Sequence, residues 1–283
     1  MKVVEVARDG SEVLDMAWAC QRHAADEMGV DWHVVDVTNR RLDTVVLPGC
    51  DALLLRELSF LELIPAKAPV FLDLALPTEL GPMCRWRTKL QMARRVYCYS
   101  PFVERALRDT GTGKIRVLAG PYVDSVPCTL PTRATVAVLS TSSEAQQVLH
   151  EVLQFRGLKS LDFDVVSPLR AKGAVHVESN LEAAERATLV VAPTDSGDMG
   201  QSHEGAILAL ATRKALATSH SQALATMAFP QGSYINVRHY SARSYVAAVA
   251  LFFNNPRPYL SWPSKVTTDA GELPRLVCKE MGA

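Results

Sequence analysis

Short apolar runs alternate along the chain with segments in which apolar residues recur every three or four positions. The runs predict β-strands, and the segments between them predict amphipathic helices. Glu12–Met28 is the first such helix, with Ser11 as a candidate N-cap, and Cys84–Arg94 is another. In the first half of the chain, strands are predicted at Lys2–Ala7, Trp32–Val37, Asp51–Leu55, Pro69–Leu74, Arg95–Tyr99 and Lys114–Leu118.

Prolines then interrupt the alternation, and we interpret Tyr122–Thr132 as an interdomain linker. Beyond it the alternation restarts, with strands predicted at Ala134–Leu139, Phe163–Val166, Leu189–Ala192, Ala215–Thr218 and Ser233–Val237, and helices at Ser143–Phe155, Leu181–Arg186, Ser202–Thr212 and Tyr240–Phe253. Apolar strands separated by helices are typical of parallel sheets covered on both faces. We therefore predict an α/β fold of two Rossmann-like domains, 1–126 and 133–283, whose parallel sheets face a central cleft.

Composition narrows the class of protein. The 283 residues suit two domains of about 100–150 residues each. Basic and acidic residues balance at 30 each, so a surface that binds nucleic acid or membrane has to be local. No run approaches the roughly 18 apolar residues of a membrane span, and the N-terminus lacks the features of a signal peptide. The scattered cysteines form no CxxC pair, which argues against a zinc site and favours reduced thiols in the cytoplasm.

The clearest candidate site lies between the strand Leu189–Ala192 and the helix Ser202–Thr212. Ligands of parallel sheets bind at the carboxyl ends of strands, and a helix N-terminus offers amides and partial positive charge to an anion. The glycines here either let the backbone approach a phosphate or sugar, or only shape a turn. The candidate catalytic residues are Asp195, His203 and Glu204, and the candidate ligand-binding residues are Ser196, Gly197, Gly200, Gln201 and Gly205.

Three further segments are candidates for binding. The loop after the first strand of the second domain either holds a diphosphate or caps the next helix. The matching loop of the first domain is a binding loop or a tight turn, and the basic segment around Trp86 contacts phosphates or is a solvated helix face. The loop of the second domain contains Ser140, Thr141, Ser142 and Ser143. The loop of the first domain contains Arg8, Asp9, Gly10 and Ser11, and the basic segment contains Arg85, Arg87 and Lys89.

Two blocks of the chain resemble a known family. The stretch Val96–Leu107, followed by Gly111, Lys114–Leu118 and the Val123-Asp124 pair, is similar to the end of the N-terminal domain of GT-B glycosyltransferases. In the retaining, sugar-nucleotide-dependent members, this region consists of a strand followed by the motif S-x-x-V/L-x-x-x-L, a glycine, the motif K-I-x-V-I and the motif G-V-D. The second block is the strand before Pro193, the acidic glycine-containing loop and the helix that leads to Ala215–Thr218.

The resemblance implies a glycosyltransferase that moves a sugar from a nucleoside diphosphate sugar to a hydroxyl acceptor. The second domain then binds the donor, and the first domain binds the acceptor near Arg8–Ser11 and Pro77–Arg87. No cofactor or metal is implied, because backbone amides and the helix dipole can stabilise the leaving diphosphate. Because of the basic segment, one candidate acceptor is a hydroxymethylated base in DNA, which is the acceptor of some viral glycosyltransferases. A viral enzyme of this kind is located in the host cytoplasm.

The chain departs from the family pattern at its carboxylates. The family carries two glutamates across the loop and helix, whereas this chain has the Glu204-Gly205 pair and Leu208 where the second glutamate is expected. Glu204 lies one turn earlier on the same helix face, so it can take over the ribose or sugar contact. The hydroxyls of Ser140–Ser143 replace the arginine and lysine that usually meet the diphosphate.

Two other classes remain open. Asp195-Ser196-Gly197, Ala209, Ala211 and Lys214 resemble the pattern of nucleoside deoxyribosyltransferases and nucleotide N-hydrolases. Aligning Lys214 puts Gly205 at the nucleophile position, which turns the carboxylate about 100° around the helix. A non-catalytic nucleotide-binding module is the third class, since a fold does not fix a function.

Overall fold

The computed structural model describes residues 1–8, 12–63, 68–74, 83–99, 101–118, 133–159, 161–194, 204–219, 234–237, 241–260 and 269–282. The chain forms two compact units. The first unit combines Met1–Val123 with Thr268–Ala283, and the second comprises Asp124–Thr267. Each unit is built around one parallel sheet of six strands. Within the described residues, no helix is long and apolar enough to cross a membrane.

The first sheet has the strand order β2-β1-β3-β4-β5-β6. Its strands are β1 (Lys2–Ala7), β2 (Asp31–Asp36), β3 (Ala52–Leu55), β4 (Val70–Leu74), β5 (Arg95–Cys98) and β6 (Ile115–Val117). The helices between them are α1 (Glu12–Glu27), α2 (Met83–Met92) and α3 (Pro101–Asp109), with 3-10 turns at Leu42–Thr44 and Leu58–Leu63. Because all strands are parallel, the residues that follow β1, β3 and β4 lie along the same edge of the sheet.

Alternating side chains of this sheet pack into two separate cores. Val4 and Leu53 lie in one core with Leu90 of α2 and Leu107 of α3. The other core packs against α1, whose Trp18 is 1% exposed. Both faces of β1, β3 and β4 are therefore buried, which explains why their sequences are nearly continuous apolar runs.

The second sheet has the strand order β12-β11-β10-β7-β8-β9. Its strands are β7 (Thr135–Val138), β8 (Asp164–Ser167), β9 (Val175–His176), β10 (Leu189–Ala192), β11 (Ala215–Ser219) and β12 (Ile235–Val237). Its helices are α4 (Ala145–Lys159), α5 (Asn180–Arg186), α6 (Glu204–Thr212), α7 (Ala242–Asn254) and α8 (Arg257–Leu260). The neighbouring positions of β7 and β10 bring the residues that follow them to the same edge of this sheet.

The last helix, α9 (Glu272–Met281), belongs to the first unit. Leu273 and Val277 lie one turn apart and are buried in the same core as Trp18. The side chain of Arg95 also donates to Glu280. The sequence boundaries, which assign 133–283 to the second domain, are therefore corrected at this helix: its apolar stripe completes the core of the first unit.

The predicted elements agree with the structure to within two residues at most boundaries. The helix predicted at Ser143–Phe155 runs instead over Ala145–Lys159. The sequence pattern did not predict α8 (Arg257–Leu260), the helix Glu272–Met281 or β9, whose two residues are exposed and carry no apolar run. The predicted linker lies almost wholly outside the described residues.

Candidate functional site

A hydrogen-bonded chain joins one loop and the first residues of two helices at the carboxyl edge of the second sheet. Ser140 follows β7, Asn180 begins α5 and Glu204 begins α6. The Ser140 backbone N–H and Oγ donate to Asn180 Oδ1 at 2.9 and 3.2 Å. The Asn180 Nδ2 donates to Glu204 Oε1 at 3.0 Å. The structure thus brings together two of the predicted site segments, and Asn180, which the sequence analysis did not select, connects them.

The helix α5 fixes the position of the Asn180 backbone. Ser179 caps this helix, and its side chain accepts from the backbone N–H of Glu182 at 3.1 Å. Ala183 and Ala184 are fully buried and anchor the helix on the sheet. The Asn180 amide therefore extends from an anchored helix end rather than from a loose loop.

The Ser140–Ser143 hydroxyls, predicted to hold a diphosphate, have different surroundings. The Ser140 hydroxyl donates to Asn180, and the Thr141 hydroxyl donates to the carbonyl of Pro193 at 2.7 Å. The Ser142 Oγ is buried and has no hydrogen-bond partner among the described residues. Ser143 is exposed. Two of the four hydroxyl protons are therefore committed to other residues of the protein, and Ser142 offers one that is not.

Gly205 allows α6 to approach the sheet closely. A Cβ at this position would lie 2.1 Å from the Cβ of Ala192 on β10. Real Cβ atoms do not approach that closely, so any side chain would push the helix away from the strand. This contact gives Gly205 a packing role, and a contact between Gly205 and a ligand stays a prediction.

Buried hydroxyls support the chain where it leaves β10. The Thr194 backbone N–H donates to the Tyr245 hydroxyl of α7 at 3.0 Å. The Thr194 side chain also contacts Ser219 at the end of β11. Burial raises the pKa of Tyr245, so the phenol stays neutral near pH 7 and keeps its proton. These contacts fix the start of the segment that carries most of the predicted ligand-binding residues.

Several predicted site residues lie outside the described part of the chain. In the second unit these are Asp195, Ser196, Gly197, Gly200, Gln201 and His203, and in the first unit Asp9, Gly10 and Ser11. Their assignments stay predictions. Among the residues that the structure does describe, no group of three or more His, Cys, Asp or Glu side chains is arranged to hold a metal ion.

The basic residues of the first unit do not form one continuous surface. The guanidinium of Arg8 lies over the Phe60 ring, 5.6 Å from its centroid. Arg85 and Lys89, one turn apart on α2, both lie over Trp86. Arg87 points elsewhere: its Nη2 would lie 3.5 Å from a Cβ built on Gly111. The predicted basic segment is therefore divided between two sides of α2, because alternate helical positions face different directions.

The first unit also contains a buried ionic cluster that was not predicted from the sequence. Arg56, which follows β3, is fully buried, and its Nε donates to Glu5 Oε1 at 3.1 Å. Its Nη1 donates to Gln21 at 2.9 Å and also contacts Asp73 on β4. Trp32 Nε1 donates to Glu5 Oε2 at 2.7 Å. The cluster ties together the carboxyl halves of three neighbouring strands.

Burial and the central guanidinium act in opposite directions on the carboxyls of this cluster. Burial acts to raise the pKa of Glu5, but the charge and hydrogen bonds of Arg56 and Arg22 outweigh it and lower that pKa. Burial raises the pKa of Asp73, and Arg56 only partly offsets the effect. Burial acts to lower the pKa of Arg56, but the two carboxyls together outweigh it and raise that pKa, so Arg56 stays charged. The cationic guanidinium is what keeps Glu5 ionised inside the core.

Solved structures show which known fold the chain shares. A candidate UDP-N-acetylglucosamine 2-epimerase from Listeria monocytogenes has a TM-score of 0.65 at 10% identity, with 98% of this chain and 95% of that one covered. HepE of Anabaena in complex with UDP-glucose has a TM-score of 0.64 at 10% identity, with 99% and 95% covered. The sucrose-phosphate synthase of Thermosynechococcus elongatus has a TM-score of 0.59 at 12% identity, with 100% and 94% covered.

No protein-family model matches the sequence, and no curated protein matches it either. The structural similarity extends over nearly the whole chain and includes glycosyltransferases of the GT-B type. At this level of identity it shows the fold, which is GT-B-like: two α/β units, each with a six-stranded parallel sheet. This confirms the predicted fold class.

Proposed function

We propose that the protein is a glycosyltransferase that moves a sugar from a nucleoside diphosphate sugar to a hydroxyl acceptor. The observation that carries the proposal is the hydrogen-bonded chain from Ser140 through Asn180 to Glu204 at the carboxyl edge of the second sheet. Parallel α/β sheets bind nucleotides at this edge. The similarity to HepE, which was solved with UDP-glucose, supports the same ligand class.

Each group at this edge has a separate task in the proposal. Glu204 accepts hydrogen bonds from a hydroxyl of the ribose or of the transferred sugar, which orients the anomeric carbon. The N-terminus of α6 and the Ser142 hydroxyl receive the diphosphate, whose negative charge grows as the bond from the anomeric carbon to phosphate oxygen breaks. A bond to the acceptor oxygen forms, and His203 takes the proton of the acceptor hydroxyl. Asp195 completes the proposed catalytic set.

The first unit is proposed to receive the acceptor. Arg8 and Lys89 supply positive charge over the rings of Phe60 and Trp86, which favours an acceptor with anionic groups, whereas Arg85 also pairs with Glu62 at 3.7 Å. A hydroxymethylated base in duplex DNA is one such acceptor, and phosphorylated sugars are another. Both belong in the acceptor panel of a transfer assay.

The first experiment compares ligands by thermal shift. UDP and UDP-sugars are expected to raise the melting temperature, because a ligand that binds the native state stabilises it. Uridine and deoxynucleoside monophosphates are expected to have little effect. Stabilisation by the monophosphates alone would contradict the proposal and favour a deoxyribosyltransferase or N-hydrolase.

A substitution then tests the role of the carboxylate. Glu204→Gln is expected to abolish transfer and to weaken UDP-sugar binding about tenfold or more, since a hydrogen bond to a charged group contributes about 1.5–3 kcal/mol. The fold should persist because a glutamine oxygen can still accept from Asn180. Glu151→Gln on α4 is the matched control and should behave like the wild type. Normal turnover in Glu204→Gln would show that Glu204 takes no part in transfer and only complements the dipole at the N-terminus of α6.

An epimerase is the second candidate, because a candidate epimerase shares the fold. The two reactions differ in their need for an acceptor. A transferase releases UDP faster when the correct acceptor is added, whereas an epimerase changes the sugar of the donor alone. Incubation of UDP-N-acetylglucosamine without acceptor, followed by analysis of the sugar configuration, separates the two.

A further inference from the structure

The Asn180 side chain makes three hydrogen bonds, two to Ser140 after β7 and one to Glu204 at the start of α6, although no sequence motif marks it. We propose that Asn180 is a positioning residue for the donor: it holds the Glu204 carboxylate and the Ser140 turn as one unit, so that the sugar and the diphosphate are received together. This inference rests on the proposed function and concerns the same site.

The orientation of the Asn180 amide is determined by its partners. The backbone N–H of Ser140 can only donate, so the amide atom that faces it at 2.9 Å must be the oxygen. The amide NH₂ therefore faces Glu204 at 3.0 Å. An amide nitrogen can only donate, so the Glu204 oxygen accepts. Asn180 thus fixes the direction of the Glu204 carboxylate.

The same contacts decide which groups remain available to a ligand. A carboxylate accepts about four hydrogen bonds, so Glu204 can hold the Asn180 amide and a sugar hydroxyl together. The Ser140 amide and hydroxyl are both used by Asn180. The diphosphate is therefore expected at Ser142, whose buried hydroxyl has no partner among the described residues, rather than at Ser140.

The substitution Asn180→Asp tests this geometry with almost no change of shape. The new carboxylate still accepts from Ser140 but places an oxygen with like charge against Glu204. At pH 8 the two like charges repel each other, and as the pH falls one of the two carboxyls takes up a proton and can donate to the other. The variant is expected to bind UDP-glucose about tenfold or more weakly at pH 8 and to approach the wild type as the pH falls to 5.

A double variant provides a second test of the hydrogen bond between residues 180 and 204. In Asn180→Asp combined with Glu204→Gln, the glutamine NH₂ can donate to the aspartate, so the same hydrogen bond forms with donor and acceptor exchanged. Because Glu204→Gln alone already weakens binding, the double variant is compared with it: Asn180→Asp should cost less affinity at pH 8 in the Glu204→Gln background than in the wild type. Asn180→Ala removes the amide without adding charge, so its loss of affinity, relative to the wild type at the same pH, should not depend on pH.

The experiment is isothermal titration of UDP and UDP-glucose into these variants between pH 5 and 8, each compared with the wild type at the same pH. A loss in Asn180→Asp that depends on pH, and that is smaller in the Glu204→Gln background than in the wild type, supports the inference. Wild-type affinity in Asn180→Asp, or a loss that neither pH nor the second substitution relieves, overturns the inference alone. Failure of the wild type to bind UDP, UDP-glucose and the corresponding diphosphates and diphosphate sugars of the other nucleosides overturns the proposed function as well.

Discussion

Replacing Arg56 by methionine should destabilise the first unit in a way that depends on pH. The Arg56 guanidinium is fully buried and bonds to Glu5, Gln21 and Asp73. Methionine fills a similar volume but carries no charge. The substitution leaves two carboxyls in the core without their cation, apart from the half-buried Arg22 beside Glu5.

The magnitude follows from the cost of an uncompensated buried charge. Removing one partner of a buried ion pair typically costs about 3–5 kcal/mol. The substitution should raise the folded-state pKa of Glu5, now below its unfolded value, to above that value, and should raise the pKa of Asp73 further above its own unfolded value. A carboxyl with a raised folded pKa stabilises the fold below its unfolded pKa and loses that contribution as pH rises through the folded pKa. Relative to the wild type, the deficit should therefore be larger at pH 8 than at pH 5.

Urea unfolding followed by tryptophan fluorescence measures this deficit at the two pH values. Trp18 lies 5.1 Å from the Arg56 guanidinium and Trp32 donates to Glu5, so the fluorescence includes the environment of the cluster. Arg41→Met is the matched control, because Arg41 forms an exposed pair with Asp43 and should contribute little. An equal deficit at both pH values would refute the assignment of the loss to the buried carboxyls.

Two further substitutions test the packing of the second unit. Gly205→Ala should destabilise it by about 1–3 kcal/mol or more, because its Cβ would meet Ala192 at 2.1 Å. Adding Ala192→Gly should restore part of the loss in a urea titration, whereas the control Gly157→Ala, with no neighbour within 4 Å, should not destabilise. Tyr245→Phe should cost about 1–3 kcal/mol, because it leaves the buried Thr194 N–H without an acceptor. Thermal melting equal to that of the wild type would contradict this expectation.

The fold could be predicted from the sequence because its signal is local. A strand buried on both faces, such as β3 or β10, is an uninterrupted apolar run, and the helix between two such strands shows its own period. Leu273 and Val277 of α9 also lie at helical spacing, but only tertiary packing shows that they complete the first unit. Their position at the end of the sequence, after all strands of the second sheet, instead suggests that they belong to the second unit.

The buried cluster could not be predicted for the opposite reason. Glu5 and Asp73 each interrupt an apolar strand as a single polar residue, and Arg56 follows one directly. Nothing within any one segment relates them. They meet because β1, β3 and β4 are neighbours in the sheet and the three residues lie on the same face. Such a cluster is visible only once strand order and register are known.

The difference from the two-glutamate pattern has a structural explanation in α6. Leu208, at the position of the second glutamate, is 1% exposed, and Gly205 lies against β10. A glutamate at 208 in this packing would bury its carboxylate in an apolar environment, which is costly without a partner. Glu204 precedes this buried face and contacts Asn180. If one carboxylate serves this site, its direction has to be fixed by a neighbour, and a single amide anchored at the start of α5 can do so without adding a competing charge.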